Sequence, residues 1–143
     1  VLSYVPADRK WLRRVQVQLA PLAKRNLIDV WDDTHLLPGQ ERSVHMRLRL
    51  AAAQQVVVLL SADYLASESV AEELEIALEV RERSCRLVPL LVRPCGYQLD
   101  QRLSGIVISS PQGLALSELP QSRQEAVLSG IVQNFVLKLT NFR

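Results

Sequence analysis

One acidic side chain, Glu73, is set apart from the other glutamates of its segment by its neighbours. On a helix that advances about 100° per residue, Ile76, Ala77 and Val80 lie beside it, and all three are apolar. A carboxylate held against apolar surface tends to have a raised pKa, and such groups cluster at functional sites. Its chemistry would be to stabilise a positive charge that develops during a reaction. Two structural interpretations stay open: a boundary residue that reaches water, or a carboxylate paired with an arginine.

The helix that would carry this carboxylate is predicted from about Val70 to Arg83. Its apolar positions fall on one stripe, which comprises Val70, Leu74, Ala77 and Leu78. Its other glutamates fall on the opposite face, which comprises Glu72, Glu75, Glu79 and Glu82. The spacing therefore places Glu73 at the margin of the buried face.

Short apolar runs alternate with longer segments of helical period, and this alternation predicts βαβ units around a parallel sheet. Five strands are expected, at residues 1–4, 27–31, 56–60, 87–92 and 113–116. Pro89 lacks a ladder donor, so its strand is predicted to lie towards the edge of the sheet. Helix starts are expected at the caps Asp8, Ser43 and Ser122.

Length and composition limit the classes of protein to consider. The chain of 143 residues fits a single domain over residues 1–143, and its first residue, Val1, indicates a fragment of a longer protein. The 17 basic and 15 acidic residues, with only 5% aromatics, predict no direct nucleic-acid partner. No apolar run reaches the roughly 18 residues of a membrane span, so no membrane partner is expected. Cys85 and Cys95 form no metal-binding pattern with the histidines, which predicts reduced thiols, no metal and a cytoplasmic location.

Ligands of such folds bind at the carboxyl ends of the strands, which here means the loops after Tyr4, Trp31 and Leu60. At these loops the sequence resembles the Toll/interleukin receptor (TIR) domain family, bacterial type. Five motifs occur in the family's order, namely LSY at 2–4 with Asp8, VWDD at 30–33 with LPG at 37–39, LLS at 59–61 with YLAS at 64–67, EL at 73–74 with AL at 77–78, and VPLL at 88–91 with RPC at 93–95. The resemblance implies a flavodoxin-like three-layer α/β sandwich, with helices on both faces of a central five-stranded parallel sheet.

The resemblance implies a choice between two functions. Some TIR domains cleave the nicotinamide–ribose bond of NAD⁺ with a glutamate on the helix after the third strand, and Glu73 matches that position. NAD⁺ would then be the substrate, with no cofactor, and assembly driven by a sensor domain or protein would activate the enzyme in prokaryotic anti-phage immunity. Other members are non-catalytic adaptors that signal through TIR–TIR contacts. Ser69 and Val70 replace the Trp and Cys of many active members, so the pocket wall differs from theirs.

Five further residues at these loops are candidate substrate contacts. Tyr4 would line the pocket, Trp31 would stack on the substrate, and Asp33 would accept a hydrogen bond from a ribose hydroxyl. Ser61 would hydrogen-bond the ligand, and Arg9 would meet a phosphate. Each residue also has a structural alternative. Tyr4 could be an ordinary strand-end aromatic residue and Trp31 a core residue, while Asp33 could solvate a turn and Ser61 could end a strand. Arg9 could simply be a solvated residue of the first helical turn.

Residues 34–42 resemble the BB loop through which TIR domains contact one another. Leu36 and Leu37 stand beside Pro38 and Gly39 in an otherwise polar loop, which indicates a contact surface. The resemblance implies a homo-oligomer with head-to-tail contacts, and such contacts can propagate into filaments. The alternative is that both leucines fold back onto their own domain.

Two charged patterns near these loops are given less weight as ligand sites. Asp32 and Asp33 after a strand would suit a phosphoacceptor receiver that holds Mg²⁺, but Asp63 is offset from the acceptor position and the required lysine is not visible. A basic group is interpreted as a solvated helix face and comprises Arg42, Arg47 and Arg49.

Overall fold

The computed structural model describes residues 1–83 and 85–141, with side chains as far as Phe135. These residues form three strands and five α-helices, connected by loops and short 3-10 turns. In chain order the elements are β1 (Leu2–Ser3), α1 (Arg9–Lys24), α2 (Arg42–Ala52), β2 (Gln55–Leu60), α3 (Ala62–Ala66), α4 (Glu68–Arg81), β3 (Arg86–Leu91) and α5 (Gln121–Asn141). None of these helices is long and apolar enough to cross a membrane, as far as the described residues extend.

The three strands form one parallel sheet in the order β1-β2-β3, so β2 lies at its centre. The register pairs Ser3 with Val58, and Val58 with Pro89. The uncharged, β-branched run of β2 is buried almost throughout, as expected for a central parallel strand covered on both faces. β3 is an outer strand of this sheet, which confirms the edge position predicted from Pro89.

Helices cover both faces of the sheet. Val58 points into a core that α2 and α4 complete, while its neighbour Leu59 points into a second core that α1 and α5 complete. Successive side chains of a strand face opposite sides of a sheet, so one short strand contributes to both cores. The predicted three-layer α/β sandwich is therefore confirmed.

The described residues form three strands, and not the five that the sequence predicts. The segment at 27–31 runs beside β1 but contributes one ladder-like bond, in which the Leu2 amide donates to the Trp31 carbonyl over 2.9 Å. On the other side of the sheet, the residue that bridges to β3 is Ser109, and not one of residues 113–116. Residues 111–113 form a 3-10 turn in which Gln112 has a left-handed φ of 56°, so the chain is too curved there to pair as a strand.

Two of the three predicted caps are displaced. α2 begins at Arg42 and α5 at Gln121, so Ser43 and Ser122 lie inside their helices. Asp8 does occupy the N-cap position of α1, but its carboxylate accepts no capping hydrogen bond. That carboxylate is used instead by residues after β2 and β3, as described below.

Candidate functional site

Polar side chains from five elements meet where β1 ends. We refer to them as the Glu73 network, which comprises Ser3, Tyr4, Asp33, Arg42, Tyr64 and Glu73. Its members come from β1 and the residue after it, from the 3-10 turn Asp33–His35, and from α2, α3 and α4. The network lies at the carboxyl end of β1, where parallel α/β folds place their ligands.

Glu73 is the buried centre of this network. Its helix, α4, turns Val70, Leu74 and Ala77 into the core, and Glu73 follows them inward with only 4% of its surface exposed. The Ser3 hydroxyl donates a hydrogen bond of 2.6 Å to Glu73 Oε2, and the same hydroxyl lies 2.8 Å from the hydroxyl of Tyr64. Ser3, at the end of β1, therefore fixes one carboxylate oxygen of Glu73.

The second oxygen of Glu73 faces a guanidinium. Arg42 Nη1 lies 2.7 Å from Glu73 Oε1, which makes a close ion pair. Apart from this guanidinium, Oε1 has no hydrogen-bond donor among the described residues. The interpretation of Arg42 as part of a solvated helix face is wrong, because the first residue of α2 points back over the site.

Asp33 connects the guanidinium to the residue after β1. Arg42 Nε donates to Asp33 Oδ2 over 3.2 Å, and the Tyr4 hydroxyl donates to Asp33 Oδ1 over 2.6 Å. Its neighbour Asp32 is buried and caps the 3-10 turn by accepting from the Thr34 amide over 2.9 Å. The two adjacent aspartates therefore have different roles: Asp32 caps the turn, and Asp33 belongs to the Glu73 network.

The protonation of the site follows from burial and from these contacts. Burial raises the pKa of Glu73, and the Ser3 hydrogen bond and the Arg42 charge oppose that rise. Burial and the bond to Asp33 raise the pKa of Tyr4 to about 12, although the nearby Arg9 guanidinium opposes the rise. At neutral pH the Tyr4 hydroxyl therefore keeps its proton and serves as a donor.

Trp31 and Ser61 are used structurally. The Trp31 ring packs into the core with the Arg49 guanidinium 5.6 Å from its centre, and it lines a cavity of about 420 Å³ near Val1 and Gln55, where β1 and β2 begin. The ring is therefore not part of the Glu73 network. The Ser61 hydroxyl is fully buried, where it caps α3.

Comparison with known proteins fits this architecture. The family model of the TIR domain matches residues 1–126. The chain is a TIR domain. Its fold is similar to that of the TIR domain of the Toll-related receptor TRR-2 from Hydra magnipapillata, with 18% sequence identity, a TM-score of 0.66 and coverage of 94% of each chain. A comparison with curated proteins finds no match.

In residues 34–42, the segment that resembles the BB loop, each of the two predicted alternatives describes one leucine. Leu36 is partly buried and packs against the core, so it folds back onto its own domain. Leu37 is 66% exposed, and the adjacent Pro38 and Gly39 are also exposed. Gly39 has a φ of +91°, which a residue with a side chain rarely adopts, so the loop turns here because it contains glycine.

A second polar cluster joins the ends of all three strands of the TIR domain. Asp8 follows β1 and is fully buried, where its carboxylate accepts from Ser61, which follows β2. Arg93 follows β3, and its Nε donates to Asp8 over 2.6 Å while Nη2 pairs with the exposed Asp63. This cluster was not predicted from the sequence, although Ser61 and Arg93 directly follow apolar runs.

Three members of the Glu73 network were also not predicted from the sequence as site residues. Ser3 could have been found, because it is a hydroxyl within a run that is otherwise apolar. Tyr64 and Arg42 carry no such signal, since helical position alone does not say which way their long side chains turn. Within the described residues, no group of three acidic, histidine or cysteine side chains could hold a metal ion.

Proposed function

We propose that this TIR domain cleaves the nicotinamide–ribose bond of NAD⁺ and that Glu73 is its catalytic residue. One observation carries the proposal: a buried carboxylate at a strand end has one oxygen fixed by Ser3, and Arg42 is the one partner of its other oxygen among the described residues. A carboxylate that is held but not saturated can accept a hydrogen bond from a substrate.

The reaction demands little of the protein. The bond from the ribose to nicotinamide breaks through an oxocarbenium-like state, and nicotinamide leaves with the bonding electrons as a neutral molecule, so no general acid is required. Water then adds to the ribose carbon and loses a proton. Glu73 would stabilise the positive charge on the ribose, an effect that is stronger in a buried site than in water.

The candidate substrate contacts differ in how well the geometry supports them. Tyr4 and Asp33 belong to the Glu73 network, and Arg9 is exposed beside Tyr4, so these three residues are proposed to contact the ribose and phosphate groups. Trp31 and Ser61 remain proposals that the geometry supports less, because the ring packs in the core and the hydroxyl caps a helix.

The test is release of nicotinamide from NAD⁺ by the concentrated domain. We expect Glu73→Gln to reduce the rate at least 100-fold, since the charge is lost while the shape is kept. Glu72→Gln is the matched control, because Glu72 lies on the same helix but is 52% exposed in its side chain and pairs with Arg47 outside the network. Equal rates for the wild type and Glu73→Gln would refute the catalytic assignment.

The proposed biological setting follows from the family and the exposed loop. We propose head-to-tail assembly through the BB loop, extending to filaments and driven by a sensor domain or protein. The setting would be prokaryotic anti-phage immunity in the cytoplasm, where NAD⁺ is abundant. The exposed Leu37 supports a contact at this loop, and the two free cysteines suit a reducing compartment.

A second candidate function is a non-catalytic adaptor that signals through TIR–TIR contacts. The observation that favours it is the Arg42–Glu73 ion pair, which a purely structural carboxylate would also make. An adaptor would bind another TIR domain and release no nicotinamide under any clustering condition. Pro38→His would then weaken association, and no chemistry would change with it.

A further inference from the structure

We propose that Arg42 is a positioning residue that holds the Glu73 carboxylate in its ionised form at neutral pH. The inference rests on the proposed function for its consequence in catalysis. Its physical content, however, concerns the two side chains alone and can be measured without substrate.

The contacts of Arg42 suit this role. Nη1 faces Glu73 Oε1 at 2.7 Å, while Nε donates to Asp33 Oδ2 at 3.2 Å. The planar guanidinium thereby lies between two carboxylates that come from different elements. A lysine offers a single charged nitrogen at the end of a flexible chain, so it could approach either carboxylate but would not bridge the two in a fixed plane.

The other groups around Glu73 cannot supply this charge. β1 contributes the neutral Ser3 and, beyond it, Tyr4, while α3 contributes the neutral Tyr64. The 3-10 turn contributes Asp33, whose negative charge disfavours a second carboxylate nearby. Arg102, from the turn Gln101–Leu103, acts on Tyr64 and pairs with Asp100.

Without the guanidinium, burial and Asp33 would both favour the protonated form of Glu73. The Ser3 hydrogen bond would remain, but a single neutral donor compensates a buried charge only in part. A protonated Glu73 could not stabilise the positive charge of the proposed reaction. Oε1 keeps the capacity to accept a substrate hydroxyl, because a carboxylate oxygen can accept more than one hydrogen bond and Arg42 is its one partner among the described residues.

The direct test follows the side-chain carboxyl carbon of Glu73 by ¹³C NMR as the pH is changed. We expect Arg42→Gln to raise the titration midpoint by about one pH unit or more, as removal of an adjacent opposite charge should. Arg42→Lys should recover part of the shift, and it also guards against a glutamine variant that fails to fold. Arg47→Gln, on the exposed side of α2, should leave the midpoint unchanged. An unchanged midpoint in a folded Arg42→Gln variant would overturn the proposal.

A kinetic test separates the positioning role from simple obstruction of the site. If Arg42 keeps Glu73 ionised, Arg42→Gln should move the acid limb of the pH profile of kcat/KM to higher pH by the same interval as the NMR midpoint. A variant that is faster at every pH, with its acid limb in place, would show that Arg42 blocks the site and would overturn the proposal. A wild-type domain that releases no nicotinamide would refute the proposed function, and the NMR result would still decide the role of Arg42.

Discussion

Glu73 is an uncommon residue in energetic terms, because burying a carboxylate destabilises a protein unless its partners compensate. Here Ser3 and Arg42 compensate in part, and the pKa of Glu73 nevertheless stays above its ordinary value because burial is the larger effect. A side chain that destabilises its own fold is typical of functional sites, where activity and stability compete.

The first prediction is that Glu73→Gln stabilises the domain at neutral pH. Since the folded state raises the pKa of Glu73, it binds this proton more tightly than the unfolded chain does. The contribution of Glu73 to stability is therefore most favourable at low pH, and it falls as the pH rises through the ordinary carboxyl pKa of 4.5 towards the raised value. At neutral pH we expect the variant to unfold a few degrees higher than the wild type.

Thermal unfolding between pH 4 and pH 8 checks this prediction. The gain should shrink as the pH approaches 4, where the wild-type carboxyl also becomes protonated. Glu72→Gln should change the unfolding temperature little, because that exposed carboxylate is screened by solvent. A lower unfolding temperature for Glu73→Gln at pH 7 would mean that the ion pair with Arg42 outweighs burial.

At the scale of elements, Asp8 connects three loops that the sheet alone leaves independent. The short strand β1 has two residues, so its loop needs support from outside the ladder. Asp8 supplies it by accepting from Ser61 after β2 and from Arg93 after β3. The carboxyl end of the sheet, on which the Glu73 network lies, is thereby held in one arrangement.

The second prediction concerns the cost of losing this connection. Asp8→Ala should lower the free energy of unfolding by about 2–3 kcal/mol, because it leaves the buried Ser61 hydroxyl without its acceptor and removes the buried one of the two carboxylates that pair with Arg93. Urea denaturation measures the loss. Asp63→Ala is the control and should cost less than about 1 kcal/mol, since Asp63 meets the same arginine with 59% of its side chain exposed. Equal losses would mean that the buried contact to Asp8 adds nothing.

The elements also explain which features the sequence could predict. Periodicity identified α4 and placed Glu73 at the margin of its buried face, and an apolar run identified β2, because both signals are local. The segment at 27–31 has a composition similar to that of β2 but makes a single ladder bond at Trp31. Whether a segment pairs at the edge of a sheet depends on the strand beside it, and its own sequence does not reveal that strand. Arg42 was misinterpreted for the same reason: its partner Glu73 is distant along the chain, and only the fold brings them together.

At the scale of the whole molecule, the proposed assembly would use the surface of residues 34–42, which resemble the BB loop. Leu37 is exposed, while its neighbour Leu36 packs against the core and attaches the loop to the domain. The loop therefore exposes one apolar side chain in a fixed position. A TIR domain that assembles through this loop would bury Leu37 against the next copy.

The third prediction is that Leu37→Asp weakens self-association about tenfold or more, because a charge would have to be desolvated at the contact. Sedimentation velocity over a range of concentrations measures the effect. The unfolding temperature should not change, since the side chain is largely solvated in the single domain. Leu99→Asp is the control on another exposed leucine, with 89% of its surface accessible. If both variants associate like the wild type, assembly does not use the BB loop.

Pro89 has a consequence for how such copies can meet. On the outer side of β3, the Pro89 carbonyl accepts from the Ser109 amide over 2.8 Å, and the Leu91 amide donates to the Ser109 carbonyl over 3.1 Å. Pro89 faces this outer side but has no amide hydrogen to donate, and its carbonyl already accepts from Ser109, so a foreign strand would find no backbone donor and no free carbonyl partner there. When copies crowd together, the proline and the segment at Ser109 should both disfavour the fusion of sheets that leads to amyloid.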